Sequence, residues 1–168
     1  MINTSYLGLH YFRHQSPPGG SIVCTASAAA FQRFRVADYT AAKHGVLGWM
    51  RGIVPNILDS KFPIRVNAIA PSWTLTGLIP EELVEVMGQY CEWQGPEVVA
   101  RSVIVLMADG QRQGQLIYSV GGKFWEIEEE KFLPTAKSIV GSNDEDFVVR
   151  KLQEVRADVG YGAESKEK

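Results

Sequence analysis

The fold of this chain is decided by the stretch SIVCTASAAAFQRFRVADYTAAKHGVLGWMRGIVPNILDSKFPIRVNAIA, residues 21–70. It starts with a short β-rich run at residues 21–26, which follows a Pro-Gly turn and is typical of a buried strand. Apolar side chains then recur every three or four residues over 39–58, which predicts a helix with Asp38 as its N-cap. A second apolar run, 64–70, predicts another strand. Strand, helix and strand in this order predict a βαβ unit with parallel strands.

The pattern continues downstream of this unit. Residues 71–80 read as a loop and residues 81–87 as a short acidic helix. Pro96 suits the first position of a further helix that runs to about residue 108. Residues 114–122 then give a third strand that ends in a glycine pair. The order β-α-β-α-β predicts an α/β fold, a partial Rossmann-like (doubly wound) parallel sheet with extra C-terminal helices.

The C-terminal part has a different composition. We expect the α/β domain to cover residues 1–127 and a helical, partly disordered extension to cover 128–168. The acidic run at residues 126–130 is interpreted as a solvated face, and residues 144–155 as an amphipathic helix.

Composition narrows the classes of function. The chain has 168 residues, 45% hydrophobic and 21% charged, which favours one globular domain. The net charge of −2 gives no basic surface, so we expect no nucleic-acid or membrane partner. Two cysteines do not form a disulfide framework, and the histidines lack ligand spacing, so we expect no metal. The absence of a signal-like segment favours a cytoplasmic location.

Two side chains one helical turn apart carry the chemistry. Tyr39 and Lys43 lie four residues apart and therefore share a helix face. An ammonium group near a phenol favours the phenolate, which predicts Tyr39 as a proton donor and acceptor. Ser27 ends the preceding strand, and residues 71–76 follow the next one. Because ligands bind outside the carboxyl ends of parallel strands, we expect these groups to share a cleft.

Together these motifs resemble a known family. Gly19-Gly20-Ser21-Ile22-Val23, Ser27, Tyr39-x-x-x-Lys43 and Arg65-Val66-Asn67-Ala68-Ile69-Ala70-Pro71 look like the C-terminal half of short-chain dehydrogenases/reductases. Residues 114–122 resemble the last strand of that family. The resemblance covers about residues 7–127.

The resemblance implies an NAD(P)-dependent enzyme that interconverts an alcohol and a carbonyl on a small, apolar substrate. It implies Ser27, Tyr39 and Lys43 as catalytic residues, with Ser27 bonding the substrate oxygen. Cofactor-binding residues would be Tyr39, Lys43, Pro71, Thr74 and Thr76. Trp73 and residues 75–93 would form a substrate lid, with Leu78, Ile79, Met87 and Trp93 contributing apolar surface. The helices at 39–58 and 96–107 are expected to form homo-oligomer contacts.

The chain also departs from the family pattern. It has no Gly-x-x-x-Gly-x-Gly turn, so we expect a truncated domain with weak affinity for the cofactor, and the choice between NAD and NADP stays open. The strand at 21–26 would then be an open edge. Ser72 stands where many members have glycine. Ser27 and Tyr39 are one residue closer than usual, which leaves Thr25 as an alternative hydroxyl. An inactive, partner-binding remnant and a non-redox isomerase remain alternative functions.

Overall fold

A computed structural model describes residues 1–141 and 145–158, with side chains described up to residue 155. It contains two compact units, residues 1–131 and residues 132–168, and the domain division expected from the sequence stays a prediction. The elements of the first unit are α1 (Ile2–His14), β1 (Gly20–Thr25), a 3₁₀ turn (Ala28–Ala30), α2 (Ala37–Ser60), β2 (Ile64–Pro71), α3 (Glu81–Gly88), α4 (Pro96–Ala108), β3 (Leu116–Val120) and β4 (Lys123–Glu126). A π-helical turn (Glu128–Phe132) leads into α5 (Leu133–Val140), and α6 (Glu145–Asp158) follows.

One four-stranded sheet organises the first unit. Its strand order is β1-β2-β3-β4, with β1, β2 and β3 parallel and β4 antiparallel to β3. The glycine pair foreseen at the end of β3, Gly121-Gly122, has positive φ at both residues and joins β3 to β4. A two-residue turn of this kind matches the twist of a hairpin. The predicted α/β fold with a parallel sheet is confirmed, while the β4 strand was not foreseen.

The core lies around β2, whose side chains are buried at six of eight positions. Ile69 packs with Leu106 of α4 and Ile117 of β3. Leu106 is fully buried, so its truncation to alanine would cost about 2–5 kcal/mol. Val23 of β1 packs against the same cluster, so α4 and the three parallel strands share one core.

Two polar side chains of β2 hold the segment between α4 and β3. Arg65 donates from Nη1 to the Leu106 carbonyl at 2.6 Å and from Nη2 to the Met107 carbonyl at 2.8 Å. These are carbonyls of the last helical turn, where a cation is favourable. Asn67 is fully buried; its Nδ2 donates to the Arg112 carbonyl and its Oδ1 accepts from Gln115 N. A buried amide satisfied on both sides positions β3 beside β2.

The edge strand β1 has hydrogen-bonded strand pairing only with β2 among the described residues. Gly20 N and Ala26 N donate hydrogen bonds towards β2. Because the backbone groups of successive strand residues point to opposite sides, those of Ser21, Val23 and Thr25 point away from β2, to the open edge. α1 packs on one face of β1, where Gly8 approaches the Ile22 side chain, and this contact does not pair the open edge.

Two expectations need correction. Asp38 is not an N-cap: α2 begins at Ala37 after Val36, and Asp38 lies in the first turn, where a carboxylate also favours the helix dipole. The acidic run 126–130 is not a uniformly solvated face. Glu126 is half-buried and its carboxylate accepts from four backbone N–H groups, those of Leu116, Glu128, Glu129 and Glu130.

The second departure within the acidic run is Glu128. Its side chain is 2% exposed, and its carboxylate forms a bidentate pair with Arg51 of α2, whose side chain is 43% exposed. A planar guanidinium suits such a two-bond contact. The pair attaches the segment after β4 to the middle of α2. The predicted helix at 144–155 corresponds to α6, and the last part of the expected extension, residues 159–168, lies outside the described residues.

Candidate active site

Ser27 stands just after β1, at the carboxyl edge of the sheet. Its backbone is extended, and its hydroxyl accepts a hydrogen bond from Ala29 N at 3.2 Å, which caps the turn Ala28–Ala30. A serine in this position satisfies a donor at the start of a helical turn. Among the described residues, none accepts the Ser27 proton in a hydrogen bond. The hydroxyl is therefore held in place and can donate to a ligand oxygen.

Tyr39 and Lys43 occupy the first two turns of α2. Lys43 Nζ lies 5.5 Å from the centroid of the Tyr39 ring, so the ammonium is close to the phenol. The same nitrogen donates to the Thr25 carbonyl at 3.0 Å. This bond ties the start of α2 to the end of β1. The Tyr39 side chain is accessible, being 40% exposed.

The loop after β2 is held by a hydrogen-bond network. Ser72 N donates to the Ser119 carbonyl at 2.8 Å, which continues the β2–β3 pairing. Thr74 Oγ1 donates to the Ser72 carbonyl at 2.9 Å and accepts from Gln94 Nε2 at 3.1 Å. Gln94 is 3% exposed, and its Nε2 also donates to Ser119 Oγ at 3.0 Å. Gln94 therefore links β3 to the loop.

These elements surround one cavity of about 540 Å³. It is lined by every residue predicted for catalysis or cofactor binding: Ser27, Tyr39, Lys43, Pro71, Thr74 and Thr76. The alternative hydroxyl of Thr25 and the side chain of Ser72 also line it, so the lining does not decide between Ser27 and Thr25. Of the expected apolar surface, Trp73, Leu78 and Ile79 line the cavity, and Met87 and Trp93 do not.

Aromatic rings form one wall of this cavity. The Phe34 ring lies 5.9 Å from the Tyr39 ring and 6.0 Å from the Trp73 ring, measured between centroids. Trp93 stands behind Trp73 at 5.9 Å and 70°. Its Nε1 donates to the Val84 carbonyl of α3 at 3.2 Å. These are ordinary distances and tilts for packed aromatic pairs.

The electrostatics of the cavity are simple. Tyr39 and Lys43 are the only ionisable side chains among the described residues that line it. Burial raises the pKa of the Cys24 thiol above its ordinary value of 9.0, but Cys24 lines a groove between α1 and β1 and not this cavity. Within residues 1–141 and 145–158, no group of three or more His, Cys, Asp or Glu could hold a metal ion. No helix in the same part of the chain is long and apolar enough to cross a membrane.

Sequence reasoning missed two parts of the site. Gln32, Phe34 and Val36 line the cavity from the segment between the 3₁₀ turn and α2. Their position between Ser27 and Tyr39 was a signal, since a short connection between two cavity residues must border the cavity. The Gln94 network gave no such signal, because a lone glutamine twenty residues after Thr74 has no distinctive pattern.

Comparisons with known proteins agree with this arrangement. Residues 1–84 match the family model described as short chain dehydrogenase. The chain is similar to the short-chain dehydrogenase/reductase ascJ of Acremonium egyptiacum, with 44% identity over 142 residues, 83% of this chain and 47% of the relative. It is 30% identical to the NAD(+) 15-hydroxyprostaglandin dehydrogenase of Homo sapiens, over 70% of this chain and 50% of that protein. The chain thus spans about half the length of the curated relatives it matches.

Solved structures show the same fold. The 3-hydroxyacyl-CoA dehydrogenase type-2 of Mycobacterium avium superimposes with a TM-score of 0.63 at 25% identity, covering 71% of this chain and 50% of that one. A structure from Agrobacterium tumefaciens that contains bound NADP has a TM-score of 0.56 at 26% identity, covering 71% and 51%.

Proposed function

Because the chain belongs to the short-chain dehydrogenase/reductase family, we propose that it takes part in the NAD(P)-dependent interconversion of an alcohol and a carbonyl compound. One observation carries this proposal. Ser27, Tyr39 and Lys43 line the same 540 Å³ cavity as Pro71, Thr74 and Thr76, at the carboxyl edge of a parallel sheet. Ligands of open α/β sheets bind at this edge.

Each catalytic side chain has a distinct task. In the reducing direction, Tyr39 gives its phenolic proton to the substrate oxygen, and in the oxidising direction it takes that proton back. Ser27, already held through Ala29 N, donates a hydrogen bond to the same oxygen. Lys43 places a positive charge 5.5 Å from the centroid of the Tyr39 ring and is itself held by the Thr25 carbonyl. The positive charge stabilises the phenolate that forms when Tyr39 loses its proton.

The residues present fit the nicotinamide end of a dinucleotide. Pro71, Thr74 and Thr76 face the cavity beside Tyr39 and Lys43, and would hold that end. When bound, the cofactor supplies or accepts the hydride. Thr74 already spends its proton on the Ser72 carbonyl and accepts from Gln94, so it offers one remaining lone pair. The sequence contains no glycine-rich phosphate turn, so the chain fits this end of the cofactor alone.

The cavity also supports a small, apolar substrate, because Trp73, Leu78 and Ile79 line it and few of its lining side chains are charged. A turnover assay on secondary alcohols, following NAD(P)H absorbance, tests the mechanism. Tyr39→Phe keeps the ring but removes the proton, and we expect it to abolish turnover. Tyr90→Phe is the matched control, since Tyr90 is 84% exposed and lies outside the cavity lining. Activity retained in Tyr39→Phe would exclude the assigned role.

Affinity for the cofactor separates the catalytic proposal from its alternatives. Without a phosphate turn, the chain alone should bind NADH and NADPH weakly, because much of the affinity for a dinucleotide comes from pyrophosphate contacts at a helix N-terminus. Fluorescence titration of both dinucleotides measures this and the preference between them. Tight binding would contradict the expectation. Turnover of a substrate without NAD(P) would favour a non-redox isomerase. A chain that neither binds NAD(P) nor turns over a substrate would favour a partner-binding module.

We also propose that α2 and α4 contact a second copy of the chain. Leu58 on α2 is 58% exposed, and Ile104 and Met107 on α4 are 61% and 55% exposed. Contiguous exposed apolar side chains mark contact surfaces, and Ile104 and Met107 lie three residues apart on one face of α4. Sedimentation analysis of Ile104→Glu should show a lower mass than that of the parent chain. If the parent chain and Ile104→Glu both sediment as monomers, the proposal is contradicted.

A further inference from the structure

We propose that the cavity selects substrates whose reacting carbon carries an aromatic ring, namely an aryl ketone or the matching aryl carbinol. This inference rests on the proposed function for one point only, that the substrate oxygen meets Tyr39. The selectivity itself is assigned to the aromatic wall, defined as Phe34 and Trp73.

The position of the wall relative to Tyr39 carries the inference. The Phe34 ring centroid lies 5.9 Å from that of Tyr39, with a tilt of 55° between the two planes. Trp73 continues the wall, 6.0 Å from Phe34 and tilted by 56°. Phe34 packs directly against Tyr39, and both line the cavity, so a substrate whose oxygen reaches the Tyr39 hydroxyl lies beside the wall. The group attached directly to the reacting carbon is then the part of the substrate nearest to Phe34.

The wall is held from behind before any ligand arrives. Trp93 packs edge-on against Trp73 and is anchored through Nε1 to the Val84 carbonyl, although it does not line the cavity. The backbone of Trp73 is also held, because Gln94 N donates to the Trp73 carbonyl at 3.1 Å. A surface whose rings are already placed loses little conformational entropy on binding. Ala28 and Ala29, which also line the cavity, have short side chains that leave room for a flat ring.

Aromatic rings prefer tilted or offset contacts with other rings beyond the gain from buried area. A cyclohexyl group buries a similar area without this preference. The wall should therefore bind an aryl ketone about two- to tenfold more tightly than its cyclohexyl counterpart.

The experiment compares acetophenone with cyclohexyl methyl ketone on the full chain. Binding is followed by NMR through the isotope-labelled indole N–H signals of the four tryptophans. Trp73→Leu identifies the Trp73 signal. Phe34→Leu is expected to reduce the preference for acetophenone to about onefold, while Phe124→Leu, outside the cavity lining, keeps it. If Phe34→Leu does not fold, the two ketones are compared on Trp73→Leu, and binding is followed through the indole signals of the other tryptophans.

The outcomes are separable from those of the catalytic proposal. All binding measurements are repeated on Tyr39→Phe, which cannot transfer the proton. An aryl preference in a protein without turnover supports the aromatic wall and counts against the enzyme. Turnover with equal affinity for both ketones, an unchanged preference in Phe34→Leu, or no binding of acetophenone overturns the aromatic wall.

Discussion

The pair between Arg51 and Glu128 leads to an asymmetric prediction. The Glu128 side chain is 2% exposed and the Arg51 side chain is 43% exposed. Arg51→Met removes the cation and leaves a buried carboxylate without its guanidinium. Glu128→Gln removes the charge of the buried member and leaves an arginine that already reaches water. The first substitution should therefore destabilise the chain more than the second.

The magnitudes follow from burial. Breaking a buried ion pair by removing one partner costs about 3–5 kcal/mol when the other charge stays buried. Arg51→Met should fall near the lower end, about 3 kcal/mol, because Arg51 is itself 43% exposed and its removal lets some water reach the carboxylate. Glu128→Gln keeps one hydrogen-bond acceptor and should cost about 1.5 kcal/mol, the lower end of the range for a bond to a charged group. The double variant Arg51→Met, Glu128→Leu should be more stable than Arg51→Met alone, since it buries no charge.

Urea unfolding, followed by circular dichroism, measures the free energy of unfolding of the parent chain, the two single variants and the double variant. With a slope of about 2 kcal/mol per molar urea, the Arg51→Met midpoint should shift down by about 1.5 M and that of Glu128→Gln by less than 1 M. Lys151→Met is the control, because its ion pair with Glu154 is exposed and should contribute under about 1 kcal/mol. The reasoning is refuted if Glu128→Gln costs as much as Arg51→Met, or if the double variant is the least stable.

Three further predictions concern single positions. Because burial raises the folded pKa of the Cys24 thiol above 9.0, the folded chain keeps this proton at pH values where the unfolded chain has lost it. Stability should therefore fall as pH rises above about 9, and it should fall less in Cys24→Ala. Urea midpoints of both proteins near pH 8 and pH 10 measure the difference. Equal slopes would contradict the burial argument. Gly19→Ala places a Cβ 2.6 Å from a backbone carbonyl oxygen at a φ of +120° and should lower Tm. Gly45→Ala lies in open space within α2 and should raise Tm, because it adds about 0.5–1 kcal/mol of stability. Gln94→Leu leaves the buried Ser119 hydroxyl and the half-buried Thr74 hydroxyl without their amide donor and should cost about 1–3 kcal/mol. No change in Tm would show that the network is not structural.

The sequence predicted those parts of the molecule that depend on local pattern. The βαβ unit followed from apolar pattern, because α2 buries apolar residues at helical spacing and β2 is a continuous apolar run buried on both faces. The cleft followed from topology, since the ends of β1 and β2 must meet at one edge of the sheet. The start of α2 was predicted two residues too late, with Asp38 in place of Val36 as the N-cap. Val36 caps the helix only through its backbone carbonyl, which accepts from Thr40 N, so no side chain marks this position in the sequence.

Other features depend on contacts that no local pattern reveals. Glu128 reads as a solvated acid within an acidic run, and its burial results from Arg51, 77 positions away. The hairpin strand β4 has only four residues and is mostly exposed, so it is too short to show an apolar periodicity. Gln94 acquires its place only when β3 and the loop after β2 come together. The cytoplasmic location and the exclusion of nucleic-acid partners stay predictions.

The bond from Lys43 to the Thr25 carbonyl has a consequence for how the site tolerates mutation. Its acceptor is a main-chain oxygen, which every amino acid possesses, so the side chain at position 25 can vary without releasing the ammonium. The lysine is thus tethered by chain geometry and not by a side-chain partner. Genetic drift along β1 can alter the surface of the strand while the positive charge beside Tyr39 keeps its place.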